Sequence, residues 1–393
     1  MKRENTTSVP LSLTIGIMSL FFLGMSLGSI TPAMNKLTEF YGAQGIPMTT
    51  VMYVTSLPQL TSVAGSLIAG VIAGKKLPFK TCGIFGILLI LIGGIAPSLV
   101  TGFAALLATR MVFGVGFGFI MVLGNPLISS FYSGDAKAKI LSVSTFVSFG
   151  GAVVMQLLCG VLTDIGLNYA YLTHLVAIPP LMLVITMLKE PPKVQAGSQG
   201  KKSGPLSGRV VFIAVIFGLV TMFVMPLYIN LAIFVGQVNS LSTVAAVVQV
   251  LYSIGNMLGG LCFAVLYKCC KRFSMGISCL LMGSGLLIML NASSLAPMCV
   301  AMLVSGFGYG GLMPASLMIA GQVSKPSQTA LATSIVFTGM NVLGFLATPF
   351  ADFIGGITGD PLSMPVATGM ALIFIIGIFL LAVNPFPKKD LHS

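Results

Sequence analysis

Arg110-Met-Val-Phe-Gly114-Val-Gly116-Phe-Gly118-Phe-Ile-Met-Val-Leu-Gly-Asn-Pro126 lies inside an apolar run from about residue 102 to residue 130. Its three alternate glycines recur 192 residues later as Gly306, Gly308 and Gly310, inside a second apolar run at 296–322. The same kind of segment is therefore present twice, in two halves of similar length. Gly114 and Gly118, like Gly306 and Gly310, are four apart, a spacing that lets a neighbouring helix approach closely within a membrane.

Around these runs the chain is too apolar for a soluble globule. Of 393 residues 56% are hydrophobic and 7% charged, and the mean hydropathy is +1.03; such a chain is a polytopic membrane protein. Apolar runs near the roughly 20 residues that cross a bilayer as a helix fall at 11–33, 50–74, 81–100, 102–130, 140–163, 168–188, 209–232, 242–267, 273–292, 296–322, 328–351 and 363–384. That makes twelve spans. None shows the short alternating pattern of a membrane β-barrel.

Charge supports the count, because loops facing the cytoplasm collect Lys and Arg. With the N-terminus inside, the inner segments hold 18 of the 20 basic residues, leaving Lys36 outside and Arg110 within a span. A missed span would invert every later loop and destroy this asymmetry. The formal charge of +12 is then mostly topology, and nucleic-acid binding is not expected. The first apolar run is too long for a signal peptide and lacks a small-x-small cleavage site. The seven cysteines read as packing residues; the pair Cys269–Cys270 has no nearby His or third Cys for a metal site, and no metal or cofactor is expected.

Between spans 6 and 7, residues 189–208 form a polar Gly/Ser/Pro-rich linker. The expected organisation is an N-terminal six-helix bundle at 1–188, the linker at 189–208 and a C-terminal bundle at 209–393. Six spans per half make the repeat parallel, with its axis along the membrane normal. Basic clusters also recur in the loops after spans 2 and 8, where Gly70 leads to Lys75, Lys76 and Lys80, and Gly260 leads to Lys268, Lys271 and Arg272.

This architecture resembles the major facilitator superfamily over essentially the whole chain. Gly70, Lys75 and Lys80 match the family's loop between helices 2 and 3 in kind, whereas its Asp is Gly74 here and its second Gly is Leu77. The resemblance implies that this loop takes part in gating, through a latch that is weaker or built otherwise. The family's helix 4 pattern is met by Arg110, Gly114 and Gly116. The Gly-Pro pair in helix 5 of its drug antiporters is missing from Gly150-Gly-Ala-Val-Val-Met-Gln156-Leu-Leu-Cys-Gly160. What the resemblance implies is an all-α fold of two six-helix bundles that rock about a central site.

Arg110 is about 12 Å into span 4 at 1.5 Å per residue, near the midplane. Burying a guanidinium there costs at least ~2.5 kcal/mol, so it faces an anion in a central cavity or is tied to backbone carbonyls as a structural residue. Its position in the second half is Met302. The eight acids lie near helix ends or in loops, so a cationic drug would meet no buried counter-charge and an anion would meet Arg110. His174 is a candidate proton relay, with a hydrogen-bonded packing role as the alternative. Asn35, Tyr53, Gln59, Gln156, Tyr228, Asn230, Gln249, Tyr252, Asn256 and Asn341 supply polar groups for a pocket or for helix pairing. Of these, Gln249, Tyr252 and Asn256 share one helical face.

The expected function is secondary transport of a small organic solute, an anion by this electrostatic argument, with a proton or counter-ion as possible coupling partner. Proton-coupled export of lipophilic drugs past the 24 Met and 26 Phe residues is the alternative. The expected setting is a monomer in the cytoplasmic membrane with both termini in the cytoplasm. An enzyme would need clustered carboxylates, which eight scattered acids do not supply.

Overall fold

The computed structural model describes residues 9–74, 76–132, 134–191, 207–324 and 328–383. Lys75 and all but the ends of the 189–208 linker lie outside these ranges. In hydrocarbon each backbone N–H must find a carbonyl within its own segment, and the apolar runs accordingly fold as helices.

Spans 2 to 6 are Met48–Ile72, Phe79–Ser98, Phe103–Phe131, Gly134–Ile165 and Leu167–Met187. Spans 7 to 12 are Gly208–Gly236, Ser242–Cys270, Ser274–Leu290, Leu295–Gln322, Leu331–Thr358 and Ser363–Ala382. Span 1 is a bent pair, Leu11–Phe22 and Ser26–Gly42, turned by 43°. It therefore extends past the expected end at residue 33, and Asn35, Lys36 and Glu39 are helical. The end of span 6, the start of span 7 and the end of span 12 share one face, here called the terminal face; the opposite one is the far face.

Two spans lose regular α-helix over part of their length, each for a local reason. In span 1 Pro32 has no N–H to give the Gly28 carbonyl, which instead accepts from Thr31 Oγ1 at 2.7 Å. The chain there makes two short 3-10 turns, Ser26–Gly28 and Thr31–Ala33. In span 6 Pro179 and Pro180 cannot donate to the carbonyls before them, and Leu167–Ala177 winds as a 3-10 helix ahead of Ile178–Met187. Irregular turns of this kind often mark a hinge.

The repeat is visible in the packing. A Cβ on Gly114 or Gly118 would overlap the Pro58 or Ser62 carbonyl oxygen of span 2; on Gly306 or Gly310 it would overlap those of Tyr252 or Asn256 in span 8. Spans 4 and 10 thus press on spans 2 and 8 in matching register. Gly310→Leu is expected to cost more than the ~1–3 kcal/mol usual for overpacking, because the obstacle is backbone that cannot rotate away. Loss of the monodisperse peak in detergent would be the readout. Gly70, by contrast, has nothing within 4 Å of a built Cβ and is not a packing contact.

One apolar core, including Leu20, Phe113, Leu123 and Met155, lies wholly in spans 1 to 6. The other belongs mainly to spans 7 to 12 but also takes in Ile30, Met34, Val54 and Tyr171 from the first half. The two halves share a core.

Candidate functional site

At mid-depth the seam between the halves carries a buried polar cluster. Gln156 of span 5 donates through Nε2 to the Tyr228 hydroxyl of span 7 at 3.2 Å, and its Oε1 accepts from Ser253 of span 8 at 3.5 Å. Thr31, on the irregular part of span 1, and Gln249 come near the same Tyr228 hydroxyl, Gln249 without reaching hydrogen-bond geometry. Tyr228 packs on Tyr252 with ring centroids 5.1 Å apart, and Tyr252 on Tyr309 at 6.3 Å. Gln249 Nε2 and Tyr252 Oη are buried without a hydrogen-bond partner. A buried polar atom left unpaired costs about 1–3 kcal/mol, so the cluster has unmet capacity to bind.

A second seam joins spans 2, 7 and 11. Asn230 Nδ2 donates to Met52 Sδ at 3.4 Å while its Oδ1 is unpartnered, and Gln59 Nε2 reaches Met225 Sδ at 3.8 Å. Thr348 donates to Ser56 at 2.6 Å, and Tyr53 packs on Phe345. Three other predicted residues are placed differently. Asn341 donates to Phe337 of its own helix at 2.9 Å, Asn35 lies against Gly236 at the far end of span 7, and Asn256 presents its backbone to Gly306 and Gly310. Sequence reasoning missed Ser253 and Tyr309. Ser253 falls one turn from Gln249 on the same face, a signal that was available; Tyr309 is hidden between two packing glycines.

Arg110 is fully buried within the first half rather than on this seam. Its Nε donates to the Val54 carbonyl of span 2 at 3.1 Å, and its guanidinium carbon stands 4.2 Å above the Phe113 ring. Nη1 and Nη2 have no partner. The Tyr171 hydroxyl, also unpartnered, the Cys159 thiol and His174 are within electrostatic reach. His174 is fully buried, with Nδ1 3.0 Å from the Tyr171 carbonyl and Nε2 3.1 Å from Ser29 Oγ. Because a carbonyl only accepts, Nδ1 carries the proton and Nε2 accepts from Ser29. Phe113 meets the ring edge-on at 5.0 Å, and a Cβ on Gly94 would overlap it.

The far face is held shut by carboxylates from both halves. Asp164, at the end of span 5, accepts from the backbone N–H groups of Ser242 and Thr243 at 2.8 and 2.9 Å and from Thr243 Oγ1 at 2.6 Å. It thereby caps span 8, and it is bridged at 3.1 Å by Lys36 of span 1. Thr49 of span 2 donates to Asp352 of span 11 at 2.7 Å. On the terminal face Glu190 accepts from the N–H groups of Phe79 and Lys80 at 3.0 and 2.7 Å, which ties the end of span 6 to the start of span 3. Lys80 thus contributes its backbone to this contact.

Among the described residues, eleven helices long and apolar enough to cross a membrane and a bent pair that makes a twelfth span, with a polar seam between the two halves and latches at one face, form the architecture of a secondary transporter. The chain belongs to the Major Facilitator Superfamily, whose family model matches residues 16–268 and 210–393. Solved structures with this fold include the nucleoside transporter NupG at 12% identity and a TM-score of 0.76, covering 95% of this chain and 98% of that one. A peptide transporter aligns at 13% identity and a TM-score of 0.76, covering 98% and 96%. A D-xylose-proton symporter aligns at 14% and 0.73, covering 97% and 98%. No curated protein sequence matches the chain.

Proposed function

We propose that this protein carries a small, uncharged, hydrogen-bonding organic solute with a flat apolar face, bound at the seam by Gln156, Tyr228, Gln249, Tyr252 and Ser253. The observation that carries this reading is the pair of buried, unpartnered groups, Gln249 Nε2 and Tyr252 Oη, beside an uncharged cluster walled by tyrosine rings. Hydroxyl or amide groups of a solute satisfy such atoms, and its flat face packs on the rings. Nucleosides and pentoses, the cargo named for two proteins of the same fold, have this chemistry. The halves 1–188 and 209–393 rock about the site, opening the seam to one side at a time. The terminal face, rich in Lys and Arg, is the cytoplasmic one.

A second reading, an organic anion, is favoured by the two unpartnered guanidinium nitrogens of Arg110. It requires a rearrangement that uncovers Arg110, which is fully buried. A thermal-shift screen against nucleosides and sugars, organic anions and lipophilic drugs separates these readings from each other and from drug export, because a ligand of the folded state raises its apparent stability. Arg110→Gln is expected to stay folded and to keep its shift with the neutral ligand. Loss of an anion's shift in that variant at unchanged Tm would move the assignment to the second reading.

For His174 we infer a neutral packing role, because both ring nitrogens are engaged. His174→Ala is expected to lower Tm and leave the pH profile of transport unaltered; a lost pH-gradient dependence at wild-type Tm would restore the relay.

A further inference from the structure

Among the described residues Arg110 is the one Lys, Arg, Asp or Glu that the fold buries completely, at 0% exposure. Nε of its guanidinium is spent on the Val54 carbonyl, and the carbon lies over the Phe113 ring, while Nη1 and Nη2 have no partner. The carboxylates with described side chains lie at the membrane faces, where Asp164, Asp352, Asp360 and Glu190 are already engaged and Glu39 is exposed. A guanidinium in a protein stays protonated, and a buried charge without a partner is strongly destabilising.

The surroundings add donors and no negative charge. Tyr171 is 3% exposed, lies within electrostatic reach of Arg110 and has an unpartnered hydroxyl. His174 has both ring nitrogens engaged, on the Tyr171 carbonyl and on Ser29. Buried donors in surplus over acceptors, around a fixed positive charge, are complementary to an anion. The second half meets the same position differently: at the offset of 192 that relates the glycines of spans 4 and 10, Arg110 corresponds to Met302, which is 0% exposed and apolar. The helix packing therefore does not require a charge here.

We propose that the first half holds one resident inorganic monovalent anion of the chloride class, bound by Arg110 Nη1 and Nη2 and by the Tyr171 hydroxyl. One unit of positive charge is neutralised by one unit of negative charge, whereas a phosphate or sulfate dianion would leave a net charge buried. Complete burial obliges the ion to give up its water, which favours a weakly hydrated halide beside the weakly hydrated guanidinium. Val54, Phe113, Tyr171 and His174 all belong to spans 2, 4 and 6 of the first half, so rocking of one half against the other does not by itself carry this site to either face. The ion stays with the protein and is separate from the solute at the Tyr228 seam.

The test uses the purified full-length protein in neutral detergent and sodium gluconate, without organic solute, titrated with sodium chloride, bromide, acetate or phosphate at constant ionic strength. Chloride and bromide are expected to raise Tm saturably by about 3 °C or more, and radiolabelled chloride to be retained at a single site on equilibrium dialysis. Arg110→Met, which installs the residue of the second half, should lose both effects. Tyr171→Phe keeps the charge and should bind chloride roughly 10-fold more weakly, so it decides the matter if Arg110→Met fails to fold. Identical Tm in chloride and gluconate, with no chloride retained, would refute the proposal. Chloride binding kept in a folded Arg110→Met, or unchanged affinity in Tyr171→Phe, would place the ion elsewhere and refute it as well. An equal shift from acetate would overturn the inorganic class in favour of an organic anion, and an equal shift from phosphate would overturn the single negative charge.

Discussion

Asp164→Ala should open the far face. The Asp164 carboxylate gathers two backbone N–H groups and a hydroxyl from span 8 of the second half and Lys36 from span 1 of the first. Charge-assisted hydrogen bonds contribute about 1.5–3 kcal/mol each and are not additive. Half of the summed value is still about 3 kcal/mol, which moves a two-state equilibrium roughly 100-fold. With Ala246→Cys, a fully buried position against Gly160 on this seam, in a background without the exposed cysteines, reaction with an impermeant maleimide should speed up by about that factor. An unchanged rate would show that the latch does not hold the closed state. Lys36→Met should have a far smaller effect, since that ion pair is partly exposed, 31% at Lys36 and 18% at Asp164, and such pairs contribute about 0–1 kcal/mol.

The second large effect is expected at Gln156. It is 1% exposed and bonds from the first half to both span 7 and span 8. Gln156→Leu keeps the volume and strips both hydrogen bonds, so a bound solute loses its amide partner while Ser253 is left unpaired. At about 1–3 kcal/mol per orphaned group, affinity for the solute should fall roughly 10- to 100-fold. Thr31 and Gln249 near the Tyr228 hydroxyl can take up part of the loss, which limits the fall in Tm. Tyr228→Phe should weaken binding less, because the ring contact with Tyr252 survives. A variant with wild-type affinity would remove Gln156 from the site.

Of the predicted pocket, Gln156, Tyr228, Gln249 and Tyr252 converge, while Asn35, Asn256 and Asn341 do not. The difference is rotational. A polar residue in an apolar helix marks a face, but whether that face meets the other half, a neighbour in its own half or its own backbone depends on how the helices are turned. Asn341 satisfies itself one turn back, a choice invisible in composition. The glycines of spans 4 and 10 were legible because close approach has one chemical solution, whereas Gly70 matched a loop pattern without making any close contact.

The sequence by itself determined an all-helical membrane fold of eleven to twelve spans and its family, because hydrocarbon permits one backbone solution for long apolar runs. It also identified Arg110 as a charge needing a partner. The tertiary structure decided where that charge goes: into the first half, fully buried, with Val54 and Phe113 as its contacts. It also made Asp164, an unremarked acid at a helix end, the cap of span 8 in the other half. The physical reason is the same in both cases. Periodicity fixes an element and its faces, but a charge is satisfied by groups far along the chain, and only packing brings those groups within 3 Å.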